Sequence, residues 1–238
     1  MQKRNKLVII PTYNEKENIE AISKAVLALD EGFDILVIDD NSPDGTADIV
    51  KKLMEEFPER ICMIQRSGKL GLGTAYITGF KWALERDYEY VVEMDADFSH
   101  DPADLPRLIE ACENGGDLAI GSRYADGVSV VNWPIGRILM SYGASVYVRT
   151  MLATKIHDST AGYVCYKRKV LETINLDDVR MKGYGFQIEM KYTTLRKGFK
   201  VVEVPVIFVN RKQGTSKMSG SIFGEAFWGV IKLRFRKF

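Results

Sequence analysis

Tyr90-Val-Val-Glu-Met-Asp95-Ala-Asp97-Phe-Ser99-His100-Asp101-Pro102 carries the most informative pattern in the chain. An apolar run of strand character stops at two carboxylates one residue apart, and a polar turn and a proline follow. In an open α/β sheet, ligands gather at the carboxyl ends of the strands, so acids at such a break are well sited for chemistry. In an extended segment, side chains at i and i+2 leave the same face, which brings Asp95 and Asp97 together. Two like charges held that close repel unless a cation or a shared proton offsets them. Hard oxygen ligands of this kind suit Mg2+ or Mn2+. Taken alone, the pair fits a helix cap equally well, and the flanking sequence has to decide.

Working outward toward the N-terminus, residues 7–10 read as a buried strand stopped by Pro11. Asn14 then offers an N-cap with Glu17 three residues on, and Ile19, Ile22, Val26 and Leu29 recur at helical spacing. Residues 34–40 form a second strand ending on Asp39-Asp40-Asn41-Ser42-Pro43-Asp44-Gly45-Thr46, before a helix with Ile49, Val50, Leu53, Met54 and Phe57 on one face. A third strand, 61–65, leads through Arg66-Ser-Gly68-Lys69-Leu-Gly71-Leu-Gly73-Thr74 into a helix carrying Ile77, Phe80 and Leu84. Beyond the opening stretch come a helix over 102–114 and a fifth strand over 117–124. This alternation predicts an α/β fold, a mainly parallel sheet with helices on both faces. The polar loops after the strands should line one edge, and that edge is the candidate site. Gly68, Gly71 and Gly73 match neither the dinucleotide-binding nor the P-loop spacing, which disfavours a NAD enzyme or an ordinary P-loop NTPase.

The second half changes character. Within residues 138–154 the one formal charge is Arg149, but Ser141, Tyr142, Ser145 and Thr150 make a membrane span unsuited. Such a helix suits the core, a membrane interface or a cover over a lipid groove. Residues 161–168 read as a strand, 169–174 and 186–197 as helices, and 200–208 as a strand that Pro205 puts at a sheet edge. In residues 221–238, Phe223, Phe227, Val230 and Ile231 alternate with Lys232, Arg234, Arg236 and Lys237, a basic amphipathic segment of interfacial type. The expected division is a catalytic domain over 1–220 followed by that segment.

At 238 residues with 46% hydrophobic side chains, the chain can bury the core of one such domain. Its 33 basic and 32 acidic residues give no electrostatic case for nucleic acid. Cys62, Cys112 and Cys165 sit in apolar surroundings without zinc spacing. With no signal-peptide core and no charge-free run of spanning length, the expectation is a cytoplasmic protein, peripheral on the cytosolic membrane face.

Five motifs then stand in order: Pro11-Thr-Tyr13-Asn-Glu15, the Asp39 to Thr46 run, Lys69-Leu-Gly71-Leu-Gly73-Thr74-Ala-Tyr76, Asp95-Ala-Asp97 and Gly121-Ser-Arg123-Tyr124. Together they resemble the polyprenyl-phosphate mannosyltransferases, the dolichol-phosphate mannose synthase group of glycosyltransferase family 2. The resemblance spans essentially the whole chain. It implies a GT-A fold, a nucleotide-sugar donor and inverting transfer of a hexose onto a lipid phosphate. Carried over by motif, Pro11, Tyr13 and Glu15 border the nucleotide and Asp40 holds the base. Asp95 and Asp97 meet the metal and the donor diphosphate. Ser99 stands where some relatives have glutamine, a serine oxygen being the weaker ligand. Arg123, counted with the two aspartates as catalytic, joins Arg137 and Ser141 in gripping the lipid phosphate. Arg211 and Lys217 form a mobile basic pair that closes over the diphosphate. Residues 39–46 and 69–76 resemble the mannosyl branch, so GDP-mannose is the expected donor. His100 and His157 are expected to be structural.

A phosphate acceptor is anionic already, so no strong general base is required, and the task is to bring two polyanions together. Two alternatives stay open. One is a polyprenyl-phosphate glucosyltransferase using a UDP-sugar, and the other a non-catalytic nucleotide-sugar-binding scaffold on membranes. A separate membrane anchor subunit is also left open.

Overall fold

The computed structural model describes residues 4–181, 183–210 and 221–236. Its centre is a seven-stranded sheet made of β1 (Lys6–Thr12), β2 (Phe33–Asp39), β3 (Ile61–Gln65), β4 (Tyr90–Glu93), β5 (Leu118–Ser122), β7 (Val164–Lys167) and β8 (Val201–Pro205). The strand order is β3-β2-β1-β4-β7-β5-β8. Every neighbouring pair is parallel except those of β7, which runs antiparallel to β4 and β5. A small parallel pair, β6 (Val130–Val131) with β9 (Phe208–Val209), lies apart from it.

Alternation along the strands builds a core on each face, because successive side chains point to opposite sides. Val8 and Ile10 of β1 and Ile35 and Val37 of β2 point to the face covered by α1 (Ile19–Leu27), α2 (Thr46–Glu56) and α4 (Leu105–Glu113). Leu7, Ile9, Leu36 and Ile38 point to the other, covered by α3 (Leu72–Leu84), α6 (Arg168–Thr173) and α7 (Tyr184–Arg196). Gly73 lets α3 lie close on α7: a Cβ there would stand 2.9 Å from the Phe186 ring. Outside α7 lie α5 (Ile135–Leu152) and α8 (Ser221–Arg234). Val230 and Leu233 of α8 are buried with Val148, Leu152, Ile188 and Tyr192. Past the end of α8, Arg236 pairs with the buried Glu189 of α7. The C-terminal segment is therefore packed on the domain, and one of the basic charges expected to face lipid is spent inside the protein. No helix among the described residues is long and apolar enough to cross a membrane.

Three local expectations are corrected. Pro11 does not stop β1, which runs to Thr12 in register with Asp39. Ile9 accepts from the Met94 N–H and Thr12 from the Asp40 N–H, so Pro11, two residues from Ile9, faces the side where β4 has already ended. Its missing N–H costs no ladder bond. Asn14 is not a helix cap: it takes a left-handed turn at φ 59°, and α1 begins only at Ile19. Finally, the chain turns at Ala96 and Asp97, so the two carboxylates are carried by a turn rather than one face of an extended strand. The edge position expected for the Pro205 strand holds, with β8 outermost.

Candidate functional site

Because β1 to β5 are mutually parallel, their carboxyl ends meet along one edge. Chain order reverses between β1 and β4, and such a switch point opens a crevice. The loops after β1 and β2 are bonded together there. Asn14 N–H donates to Ser42 Oγ at 3.0 Å, Glu15 N–H to Thr46 Oγ1 at 3.0 Å and Lys16 N–H to Asp44 Oδ2 at 3.2 Å. Within the aspartate-rich run, Asp39 is consumed by Thr12 and Ser42, and Asp44 by Thr46. Asp40 alone turns to Arg66, whose Nε donates to Oδ1 at 2.6 Å. Arg66 also donates to Thr74 Oγ1 and the Gly71 carbonyl, fixing the glycine loop against the end of β2. Lys69 of that loop lies 5.0 Å from the Tyr13 ring centroid. Tyr13, Glu15, Asp40 and the glycine loop thus share one end of the crevice, with Pro11 on the strand beside them.

At the end of β4, Asp97 is buried and accepts from Ser99 N–H at 3.0 Å, while Asp95 N–H donates to His100 Nδ1 at 3.0 Å. The imidazole is fully buried, and burial pulls its pKa down to about 4. It is therefore neutral with its proton on Nε2, and it orders the acidic turn, in keeping with the structural part expected of it. Between the carboxylates and Ser99, Phe98 holds a left-handed φ of 58°, a strained conformation for an aromatic residue. Beneath the turn, burial first and then the charges of Asp95, Glu93 and Asp97 push the Tyr76 hydroxyl well above its ordinary pKa. Glu93 is wholly buried, and burial raises its pKa to about 8. Gln187 donates to it, and Lys191, whose pKa burial lowers to about 8, bonds the Ser159 and Ala161 carbonyls. This buried chain braces β4 from behind.

Among the described residues no cluster of three or more His, Cys, Asp or Glu could enclose a metal ion. The two carboxylates fit a cation that keeps most of its coordination sphere for substrate oxygens and water, as Mg2+ and Mn2+ commonly do. The Ser99 side chain sits beside Asp97 in the same turn and is buried.

A second wall forms where β5 ends. Arg123 is buried against Asp158, with Nε to Oδ2 at 2.7 Å, Nη2 to Oδ1 at 2.6 Å and its own N–H to Oδ2 at 2.9 Å; Nη2 also reaches Thr160 Oγ1 at 2.9 Å. Its charge is therefore balanced by Asp158 within the protein. Glu203 fixes the Asp158 loop from below by accepting from the His157 and Asp158 N–H groups. Trp133 gathers both arginines, with the Arg123 guanidinium 5.4 Å and the Arg137 guanidinium 3.8 Å from its ring. Arg137 donates to Asn210 Oδ1 at 2.9 Å, and the Ser141 hydroxyl, one turn further along α5, is buried. Rings join this wall to the acidic turn: His100 lies 5.5 Å from Phe208, and Phe208 5.3 Å from Trp133. Arg211 and Lys217 lie outside the described residues.

Sequence reasoning missed Arg66, Asp158, Trp133 and the Glu93–Gln187–Lys191 chain. Arg66 opens the glycine loop and was legible as a cation beside Asp40. Asp158 carries no local signal, because its partner stands thirty-five residues away in the chain.

A family model described as glycosyl transferase family 2 matches residues 7–174. A polyprenol monophosphomannose synthase of Mycolicibacterium smegmatis is 50% identical over 226 residues, covering 95% of this chain and 85% of that protein. An undecaprenyl-phosphate mannosyltransferase of Micrococcus luteus is 48% identical over 227 residues, covering 95% and 92%. Among solved structures, a mannosyltransferase of Pyrobaculum calidifontis in complex with GDP-Man and Mn2+ superposes with a TM-score of 0.61 at 19% identity, over 98% of this chain and 71% of that one. At that identity the likeness speaks for the fold alone.

Proposed function

This chain belongs to glycosyltransferase family 2, and we propose that it transfers mannose from GDP-mannose to a polyprenyl phosphate, inverting the anomeric centre. The observation that carries the reading is the near half-identity, along 95% of the chain, to two relatives named for that class of transfer. The geometry supports it independently: an acidic turn and an arginine-bearing wall face one sheet edge, an arrangement suited to joining two anionic phosphate-bearing molecules.

In this reading Pro11, Tyr13, Glu15 and Asp40 border the nucleotide, with Arg66 orienting the Asp40 carboxylate. Asp95 and Asp97, with Ser99 beside them in the same turn, would hold Mg2+ or Mn2+. When bound, the ion offsets the charge of the departing diphosphate. Arg211 and Lys217 would add cations to that diphosphate. Arg137 and Ser141 meet the acceptor phosphate, and Arg123, already paired, is a positioning residue behind them. Holding the acceptor phosphate in line behind the anomeric carbon lowers the barrier through orientation, and its own charge makes it the nucleophile without a base. The experiment supplies purified protein and GDP-mannose with polyprenyl phosphate, polyprenol of the same length, or water alone. Mannose should enter the organic phase only with the phosphate; equal transfer to polyprenol, or hydrolysis alone, would overturn the acceptor.

The acceptor in this reading is a lipid, and α5 and α8 carry exposed apolar side chains suited to a membrane surface. Ile135, Leu139, Met140 and Tyr142 of α5 are exposed, as are Phe227, Trp228 and Phe235 at α8. The two helices meet through stacked Tyr147 and Phe227, 4.8 Å apart, with Lys232 and Arg234 exposed beside them. Aromatic and basic residues so mixed suit a peripheral, partly electrostatic contact with anionic lipid. Trp228→Ser should weaken binding to anionic vesicles about tenfold, and raised salt should weaken the wild type. Salt-indifferent binding that survives Trp228→Ser would point to another anchor.

A further inference from the structure

Four polar groups beside the Arg137 wall are buried with no hydrogen-bond partner among the described residues: the Tyr124 hydroxyl, the Trp133 indole N–H, and the Ser141 and Ser145 hydroxyls. Buried polar groups are nearly always paired, and leaving one unpaired costs free energy. Several together mark a place that something else fills.

They share one neighbourhood. Tyr124 follows Arg123 at the end of β5 and packs edge-on against Tyr142 of α5, with ring centroids 5.4 Å apart. The Arg123 guanidinium lies 5.4 Å from the Tyr124 ring and the same distance from the Trp133 ring. Along α5, Arg137, Ser141 and Ser145 are spaced four apart and so share a face. Arg137 and Ser141 are half-buried and Ser145 is 1% exposed, so the stripe runs inward from the arginine. Tyr124 itself is 4% exposed.

The chemistry of the seam selects its occupant. An indole N–H can only donate, and each hydroxyl can donate. An apolar occupant would leave all four unsatisfied, whereas an oxyanion offers several acceptors and is drawn by the neighbouring guanidinium. We infer that the Tyr124 hydroxyl is a further ligand of the acceptor phosphate, donating to one of its oxygens beside Arg137 and Ser141. The inference rests on the lipid-phosphate reading above and extends it to a hydroxyl with no hydrogen-bond partner among the described residues. It also explains why Arg123 is tied so firmly to Asp158. The Arg123 N–H is held by Asp158 and the Tyr124 N–H by Ser122 Oγ at 3.2 Å, so the main chain on which the hydroxyl is mounted is fixed on both sides.

Tyr124→Phe is the decisive variant, because it removes one oxygen that has no hydrogen-bond partner among the described residues. Its melting temperature should equal that of the wild type, and its affinity for GDP with Mn2+ should not change. With GDP-mannose saturating and a short polyprenyl phosphate varied, its KM for the lipid phosphate should rise about tenfold, the loss of one hydrogen bond to a charged group. An unchanged acceptor KM in a variant whose wild type is active overturns this inference alone. A variant that melts early or fails to fold makes the hydroxyl structural and also overturns it. A wild type that neither binds nor mannosylates the lipid phosphate defeats the functional reading, and this inference with it.

Discussion

Asp97→Asn should lower metal-dependent turnover by about a thousandfold, the scale of several kcal/mol that electrostatic stabilisation supplies at comparable sites, while leaving the fold intact. The two halves of that expectation come from different atoms. Asp97 Oδ1 accepts the Ser99 N–H, and an asparagine amide oxygen can accept the same bond, so the turn keeps its shape. What is lost is the charge that would hold a divalent cation. Asp95→Asn should do nearly as much damage, because it removes the other carboxylate charge while the main-chain N–H keeps its bond to His100. Kinetics with Mn2+ titrated, beside a thermal melt, check both halves. Near-normal turnover with unchanged metal dependence would remove the carboxylate pair from the chemistry.

Asp158→Leu should cost about 3–5 kcal/mol of stability, because removing one member of a buried pair strands the other charge. For a domain of this size that is a fall in melting temperature on the order of 10 °C. Arg123→Met should cost a similar amount, and the double variant less than the sum, since no lone buried charge then remains. The pH dependence follows from the same pair. Burial alone would raise the Asp158 pKa, but the charge and hydrogen bonds of Arg123 outweigh it and hold the carboxyl below its ordinary 3.8. A depressed carboxylate stabilises the fold above its unfolded pKa, and that contribution is lost as pH falls through the folded value. In the wild type the pair should therefore fail only in strong acid. A melting temperature in Asp158→Leu within a degree or two of wild type would show that the pair is not what fixes the end of β5.

The fold was legible because apolar runs alternate with helical spacing through residues 7 to 124, and each run ends in a polar loop. What escaped the sequence was geometry set by distant partners. The antiparallel insertion of β7 between β4 and β5 leaves no mark, because Val164, Cys165 and Tyr166 are buried whichever way the strand runs. Pro11 looked like a stop, but strand pairing on one side tolerates it. The same holds for the site. Asp95, Asp97 and Asp40 were visible because acids at strand ends are conspicuous. The neutralisation of Arg123 was not, since it depends on Asp158, which the sequence leaves among ordinary polar loop residues. In the C-terminal segment, read as an amphipathic surface for lipid, Val230 and Leu233 are packed on α5 and α7 instead.

Mannosyl transfer from a guanine nucleotide to a lipid phosphate at the β4 edge can be assayed outright. The measurement that bears on it most directly is transfer by the purified full chain to undecaprenyl phosphate. Radiolabelled GDP-mannose and UDP-glucose are compared at equal concentration, with Mn2+ and with EDTA. Organic-phase label should appear from GDP-mannose in the presence of Mn2+, with little from UDP-glucose and none from either donor with EDTA. Label from UDP-glucose but not GDP-mannose, or transfer that persists in EDTA, would contradict this reading.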